Sequence, residues 1–346
     1  MMAAVPTSRS LPSVVRLPQH RSVLRLADGS RIIGLDPESA LVVDELPPAL
    51  GEMLDELRMP SDPAGLVDRA VARGADARAA HDLLCELLDA GVLLDSTAFD
   101  RSEALRRVCE VLVEGSGPLT VGLISGLARA GLAVHVVTTG RVRAADLGTG
   151  FVESDCGLDR LGATRAVARR LVPTAQVLAA TQRLAPDLVI FADETPTPER
   201  LATVTGGRHA HLLVRMRDGA GIVGPLVLPG RSACLACVEL HRLARDGRWA
   251  DVAAQLHGRA GTADHAALAA TAALATAQAL AALDGIVCSG GPPPTLGAKL
   301  EISPAAGTLT RREWAVAPAC GCAASPLDVA GDTEERRAPH HAMGTQ

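Results

Sequence analysis

Two pairs of cysteines stand out by spacing: Cys234-Leu-Ala-Cys237 and Cys320-Gly-Cys322. Each pair places two thiolates close enough to share one tetrahedral ion, and Gly321 lets the tighter pair fold around it. Four sulfurs would fill the coordination shell and leave no position for water, so the expected metal is a structural zinc rather than a catalytic one. The competing account is a set of buried free thiols, since cysteine is a common core residue. Cys85, Cys109, Cys156 and Cys288 have no paired spacing, and Cys85 falls in an apolar-rich helical pattern that suits a core position. With no export signal, eight cysteines point to a reducing, cytoplasmic setting, where ligand-spaced cysteines are read as metal sites before disulfides.

A second chemistry could sit at Gly115-x-Gly117-x-x-x-x-Gly122, a Gly-rich turn between an apolar run and a helical segment, where backbone N–H groups could face phosphates. The dinucleotide spacing is met only loosely, and Val137 is followed by Thr138-Thr139 where a ribose-binding carboxylate would stand. The missing carboxylate favours the other account, in which the glycines only bring a helix close to a sheet. Asp193, just after the apolar run ending at Phe191, is the best-placed acid, with capping of a helix near Pro196 and Pro198 as its alternative role. Arg165 could reach a phosphate or lie on a solvated face. His209, His211 and His241 have no ligand spacing with any carboxylate.

Two different patterns must position these groups. Val23 to Leu26 and Arg31 to Leu35 flank Asp28-Gly29-Ser30, with Ala40 to Val43 as a third strand of a small antiparallel sheet. Helical patterns follow at Pro47 to Leu57, Pro63 to Arg73 and Asp76 to Ala90, and Val92 to Leu94 can return as a strand. The polar stretch Asp95 to Ser102 then marks a domain boundary. Beyond it, Val108 to Val113, the Gly-rich turn, the helix Leu119 to Ala130 and the run Ala133 to Val137 read as strand, turn, helix, strand. A helix from Gly162 to Leu171 and the run Asp187 to Phe191 continue the alternation of a covered parallel sheet. Leu212 to Met216, a Gly-Pro-rich segment to Gly230, a long Ala-rich helix from Asp264 to Asp284 and a hairpin from Leu300 to Trp314 complete the body. Residues 1–20 and 326–346 read as a flexible N-terminus and a disordered tail.

The composition excludes several functions. A net charge of -5, three Phe, two Trp and no Tyr give polyanions little to bind and bases little to stack on, so no nucleic acid is expected. The third helical pattern carries Asp76, Asp82, Glu86 and Asp89, which is no recognition helix for DNA. The stretch Ala266 to Leu283 is alanine-dominated and broken by Thr and Gln, so no membrane span is expected.

The order of parts, a Gly-x-Gly half, a strand ending at Asp193, then Cys-x-x-Cys and a distant second pair, resembles the ThiF-like family of ubiquitin-activating-type adenylyltransferases. The run from Gly224 through Cys237, followed by Glu239-Leu-His241, is similar to the ThiF-like proteins of bacteriocin and azole-peptide biosynthesis. The resemblance covers about residues 21 to 325. It implies an α/β fold class: a Rossmann-like ThiF-type domain over 103–325 with a structural zinc, preceded over 21–98 by a small winged-helix-like (α+β) peptide-recognition domain. The function it implies is a scaffold that binds the leader peptide of a ribosomally made precursor and presents it to a partner cyclodehydratase that forms azoline rings. Recognition would be by β-augmentation, with Val42, Val43, Asp44 and Glu45 on the strand and Arg78, Asp82 and Glu86 on the third helix as the peptide-binding set. The alternative is an ATP-dependent adenylyltransferase, degenerate or active, with Gly115, Gly117, Arg165 and Asp193 at the nucleotide. Of the family's nucleotide residues only the glycines and Asp193 match, which counts against ATP as a cofactor. No catalytic residue is assigned, and a homodimer is left open.

Overall fold

The computed structural model describes residues 10–322 apart from 19, 182, 257 and 288–291. The expectations for the extreme N-terminus up to residue 9 and for the tail lie outside the described residues, as does Cys288. The chain divides into two compact units, residues 1–104 and 105–346.

In the first unit, β1 (Val15–Arg16), β2 (Val23–Arg25), β3 (Arg31–Ile33) and β4 (Leu41–Val43) precede α1 (Pro48–Glu56), α2 (Pro63–Ala72) and α3 (Ala77–Asp89), with β5 (Leu94–Asp95) closing the order. Strands β2, β3 and β4 form an antiparallel sheet, and β1 pairs with β5. Asp62 and Asp76 accept backbone N–H bonds at the starts of α2 and α3, which is why those helices begin there. The apolar stripe of α3 (Ala80, Leu84, Leu87) is buried with Met53, Leu54, Leu66, Val23 and Ile33. Cys85 is only half-buried, its sulfur 3.7 Å from His81 Nδ1.

Asp95 to Ser102, expected as a polar separator, is instead the start of a helix, α4 (Ser96–Arg107). The Asp95 carboxylate accepts from the N–H groups of Thr97 and Ala98, and this cap converts a polar run into a helix.

The second unit continues with β6 (Glu110–Glu114), α5 (Pro118–Arg129), β7 (Ala133–Val137), α6 (Arg160–Leu171), β8 (Val177–Ala179), β9 (Leu188–Ala192) and α7 (Pro198–Gly206). Then come β10 (Ala210–Arg217), β11 (Ala220–Val227), α8 (Leu235–Arg245), α9 (Trp249–Leu256), α10 (His265–Val287), β12 (Ala298–Ser303) and β13 (Thr308–Glu313). All eight strands form one mixed sheet, ordered β13-β12-β11-β10-β9-β6-β7-β8. The five strands from β10 to β8 are parallel, and β11 to β13 extend the sheet antiparallel. The spatial order β8-β7-β6-β9-β10 is that of a doubly wound Rossmann half, so the order reverses between β6 and β9.

Alternation along β6 serves both faces. Val111 and Val113 pack towards α5 and α10, and Leu112 packs with Val204 of α7 and Cys237 of α8. The Gly-Pro-rich segment, given no element in the sequence, holds strand β11, buried along nearly its whole length. A strand covered on both faces shows no period-two pattern, and its glycines and proline read as a loop. Helix α10 is apolar enough over His265–Ile286 to cross a bilayer, with a mean hydropathy of 1.7, but half of that window is buried in the fold. It lies along α5 and β11, where Gly122 and Gly126 face Ala272 and Thr276 and allow the two helices to meet closely.

Candidate metal centre and strand-end crevice

The four cysteines come together. Cys234 is the N-cap of α8 and Cys237 lies in its first turn, on the buried side. Cys320 and Cys322 flank Gly321, whose φ of 67° turns the chain back through the left-handed region. The sulfurs of Cys234 and Cys237 are 3.7 Å apart, those of Cys234 and Cys320 3.4 Å, and those of Cys237 and Cys322 3.3 Å. All four lie within 4.8 Å of one another. A zinc with bonds near 2.3 Å needs sulfurs roughly 3.8 Å apart, so the cage fits one ion after a small expansion. A disulfide would need about 2.05 Å. Burial works to raise the Cys237 thiol, but hydrogen bonds from the Ala317 backbone, Cys322 and the Cys234 backbone outweigh it and bring it down to about 7. Burial pushes Cys234 and Cys322 up to about 11 and also raises Cys320.

At the carboxyl ends of β6 and β9, the turn Gly115–Gly117 faces Asp193. Asp193 Oδ2 accepts from Gly117 N (2.9 Å), Thr120 N (3.0 Å) and Thr120 Oγ1 (2.6 Å), and Oδ1 accepts from Leu119 N (3.0 Å). The carboxylate therefore fills the N-terminus of α5, the place where a strand-turn-helix unit would otherwise offer its N–H groups to an anion. A Cβ at Gly117 would stand 2.5 Å from that carboxylate, so the residue must be glycine for the two to meet. Asp193 is 3% exposed and has a φ of 70°. Burial raises its carboxyl above the ordinary aspartate value, while the four donors pull it back. Capping was the alternative role for Asp193, but the helix is α5, since Thr197 caps α7 through Arg200 N.

Nearby, Thr139 N donates to Ser116 Oγ at 3.1 Å, and the hydroxyls of Ser116 and Thr138 are 3.3 Å apart. The guanidinium in this crevice is that of Arg160, a residue passed over in the sequence because it sits in the first turn of α6. Its Nε donates to Thr139 O at 3.0 Å and its Nη2 to Arg141 O at 2.8 Å. Its Nη1 lies 2.8 Å from Asp146 Oδ2, an ion pair by distance whose N–H is not aligned for a hydrogen bond. Glu194 is raised by burial and by the charge of Asp193, against the pull of Arg143 and Arg160. Arg165, the expected cation, instead donates through Nε to Val177 O at 2.9 Å, beside β8 and away from the turn. The helix expected from Gly162 singled out Arg165, whereas only the folded crossover brings Arg160, the first residue of α6, under Thr139.

The residues expected to meet a peptide lie in the first unit. Val42 and Val43 are on β4, and Asp44 and Glu45 are exposed just beyond it. Arg78, Asp82 and Glu86 are exposed on α3, with Arg78 and Asp82 3.5 Å apart. Val43, Leu83 and Leu88 pack against one common core, so β4 and α3 border the same unit. The register sets Leu24, Ile32 and Val42 side by side across the three strands, and Leu24 and Val42 are 42% and 48% exposed.

No protein-family model and no curated protein matches the sequence. Solved structures do. The chain is similar to E. coli MccB with ATP at a TM-score of 0.67 and 13% identity, over 89% of this chain and 99% of that one. It is similar to the microcin C7 biosynthetic enzyme MccB in complex with N-formylated MccA at a TM-score of 0.65 and 12% identity, over 90% and 99%. PaaA follows at a TM-score of 0.60 and 14% identity, over 86% and 99%. At these identities the likeness establishes the fold alone, an α/β architecture shared with MccB. The case against ATP gains nothing from it, because MccB itself was solved with ATP.

Proposed function

We propose that this protein is the leader-peptide-binding component of a ribosomal-peptide modification system. Residues 21–98 grip the precursor, and the ThiF-like body over 103–325 presents it to a partner ring-forming enzyme of the cyclodehydratase type. The observation that carries this reading is the outer face of the small sheet. Leu24 and Val42, with the part-buried Ile32 between them, make an apolar stripe that the described residues leave partly open, and β4 pairs with β3 alone among them. A peptide added along β4 would take up its free N–H and C=O groups and lay alternate side chains on that stripe. Asp44, Glu45, Arg78, Asp82 and Glu86 would supply charges around it. The likeness to MccB bound to N-formylated MccA supports a peptide-modification setting. The four cysteines would hold zinc as a structural ion.

Titration calorimetry of the full chain with the cognate precursor's leader tests the reading directly. Saturable binding that is lost on deleting residues 1–98 is the expected result. No binding, together with unimpaired modification by the truncated chain, would overturn it.

A second reading is an ATP-dependent adenylyltransferase that activates a peptide carboxylate or amide, with Gly115, Gly117, Arg165 and Asp193 at the nucleotide. The likeness to MccB with ATP favours it. Against it stand Asp193, engaged by the helix N-terminus, and Arg160 and Arg165, engaged by backbone carbonyls. ATP–pyrophosphate exchange by the parent chain, abolished by Asp193→Ala under conditions where that variant is folded, would make this the correct reading.

A further inference from the structure

One cavity lies apart from the crevice and beside the metal centre, with Cys320 at one edge of its wall. It encloses about 460 Å³ within the second unit, between the sheet at β10 to β12 and helices α8 and α9. Its walls are largely apolar, with Leu213 and Ile222 from the sheet and Trp249 and Trp314 among the facing side chains. Three cations line it nonetheless: Arg215, Arg242 and Lys299.

Two of them are answered. Arg242 Nη1 donates to Glu239 at 2.7 Å, and the same carboxylate takes the indole N–H of Trp249. Lys299 Nζ is 2.6 Å from Glu301, which also holds Arg217 at 2.8 Å. Four cations thus face two carboxylates that are both engaged. Arg215 is the one left over. Its Nη1 donates to the Thr195 hydroxyl at 3.0 Å, its Nε is buried with no hydrogen-bond partner, and it makes no ion pair among the described residues. Burial, reinforced by the charges of Arg242 and Arg217 and only partly offset by that of Glu239, lowers its pKa to about 10, still well above neutrality, so the charge is present. A largely buried guanidinium with no ion-pair partner of its own is costly, and an anion entering the cavity would reduce that cost.

We propose that this cavity binds the carboxylate of an apolar molecule, with the carboxylate on Arg215 and the apolar body against Leu213, Ile222 and the two tryptophans. A single unanswered guanidinium matches a monoanion, and walls of this kind would desolvate a phosphate's second charge without repaying it. The volume lies in the range of ordinary small-ligand sites. Both a free aliphatic acid and the C-terminus of an apolar peptide have this chemistry. The assignment rests on the second unit alone and is independent of leader binding by the first.

The test uses the full, zinc-loaded chain and paired probes in titration calorimetry: decanoate against decanol, and N-acetyl-Leu-Leu against its C-terminal amide. The expected result is that at least one acid binds at least tenfold more tightly than its neutral counterpart. Which acid does so identifies the source. Arg215→Met should erase that preference while leaving the melting temperature no lower than the parent's, because it removes an unanswered buried charge. Ile222→Trp, which keeps Arg215 but fills the cavity, should abolish binding of either acid. The proposal is overturned if neither acid binds, if acid and neutral probe bind equally, or if Ile222→Trp leaves binding unchanged.

Discussion

Thr120 and Asp193 are 73 residues apart in sequence and joined by a 2.6 Å hydrogen bond from the threonine hydroxyl to the carboxylate. Through that carboxylate the end of β9 is tied to the first turn of α5. Asp193→Ala would leave three N–H groups and a hydroxyl without their buried acceptor. We expect a loss of about 2–4 kcal/mol in urea unfolding, and about half as much for Thr120→Val. An Asp193→Ala protein as stable as the parent would mean that the cap does not hold the fold.

Zinc binding should release protons in a predictable number. At pH 8 Cys237, brought down to about 7, is mostly thiolate, whereas Cys234 and Cys322, near 11, and the raised Cys320 hold their protons. Each must be lost for the sulfur to coordinate, so about three protons should leave per ion. Affinity should then fall as the pH is lowered. Calorimetry in two buffers of different ionisation enthalpy gives the count, and a value near zero would exclude a four-thiolate site.

Val42→Asp places a charge at the β4 end of the apolar stripe without entering the core. Leader affinity should drop at least tenfold, with thermal stability unchanged because the side chain is half exposed. Equal affinity for the parent and the variant would move the peptide site elsewhere.

The cysteine pairs were readable because ligand spacing is local: Cys234 and Cys237 sit within one helical turn, and Gly321 announces the turn between the other two. The strand-turn-helix around Gly117 was readable for the same reason. Strand β11 was not, since burial on both faces removes the alternation by which a strand is recognised. Arg160 and Arg215 were missed because nothing near them in sequence marks them. The first acquires its role from carbonyls at Thr139 and Arg141, the second from a cavity whose walls come from residues 195 to 320.

The contact of α5 with α10 offers a steric test. A Cβ at Gly126 would overlap the Thr276 side chain, so Gly126→Leu should destabilise the second unit by about 1–3 kcal/mol or more. Pairing it with Thr276→Gly should recover part of the loss. Thermal unfolding of the single and double variants reads the coupling directly.

The sulfur cage has a consequence for the order in which the chain is made. Cys237 and Cys322 are 85 residues apart, and the rest of α8 with α9, α10, β12 and β13 lies between them. A ribosome that has delivered Cys237 has built half a site, and the other half emerges only after the whole antiparallel end of the sheet. A chain cut short or frameshifted anywhere in that interval cannot close the cage. Metal content would therefore distinguish molecules extended past Cys322 from those interrupted before it, so an ion held there would mark progress of synthesis as well as fasten the fold.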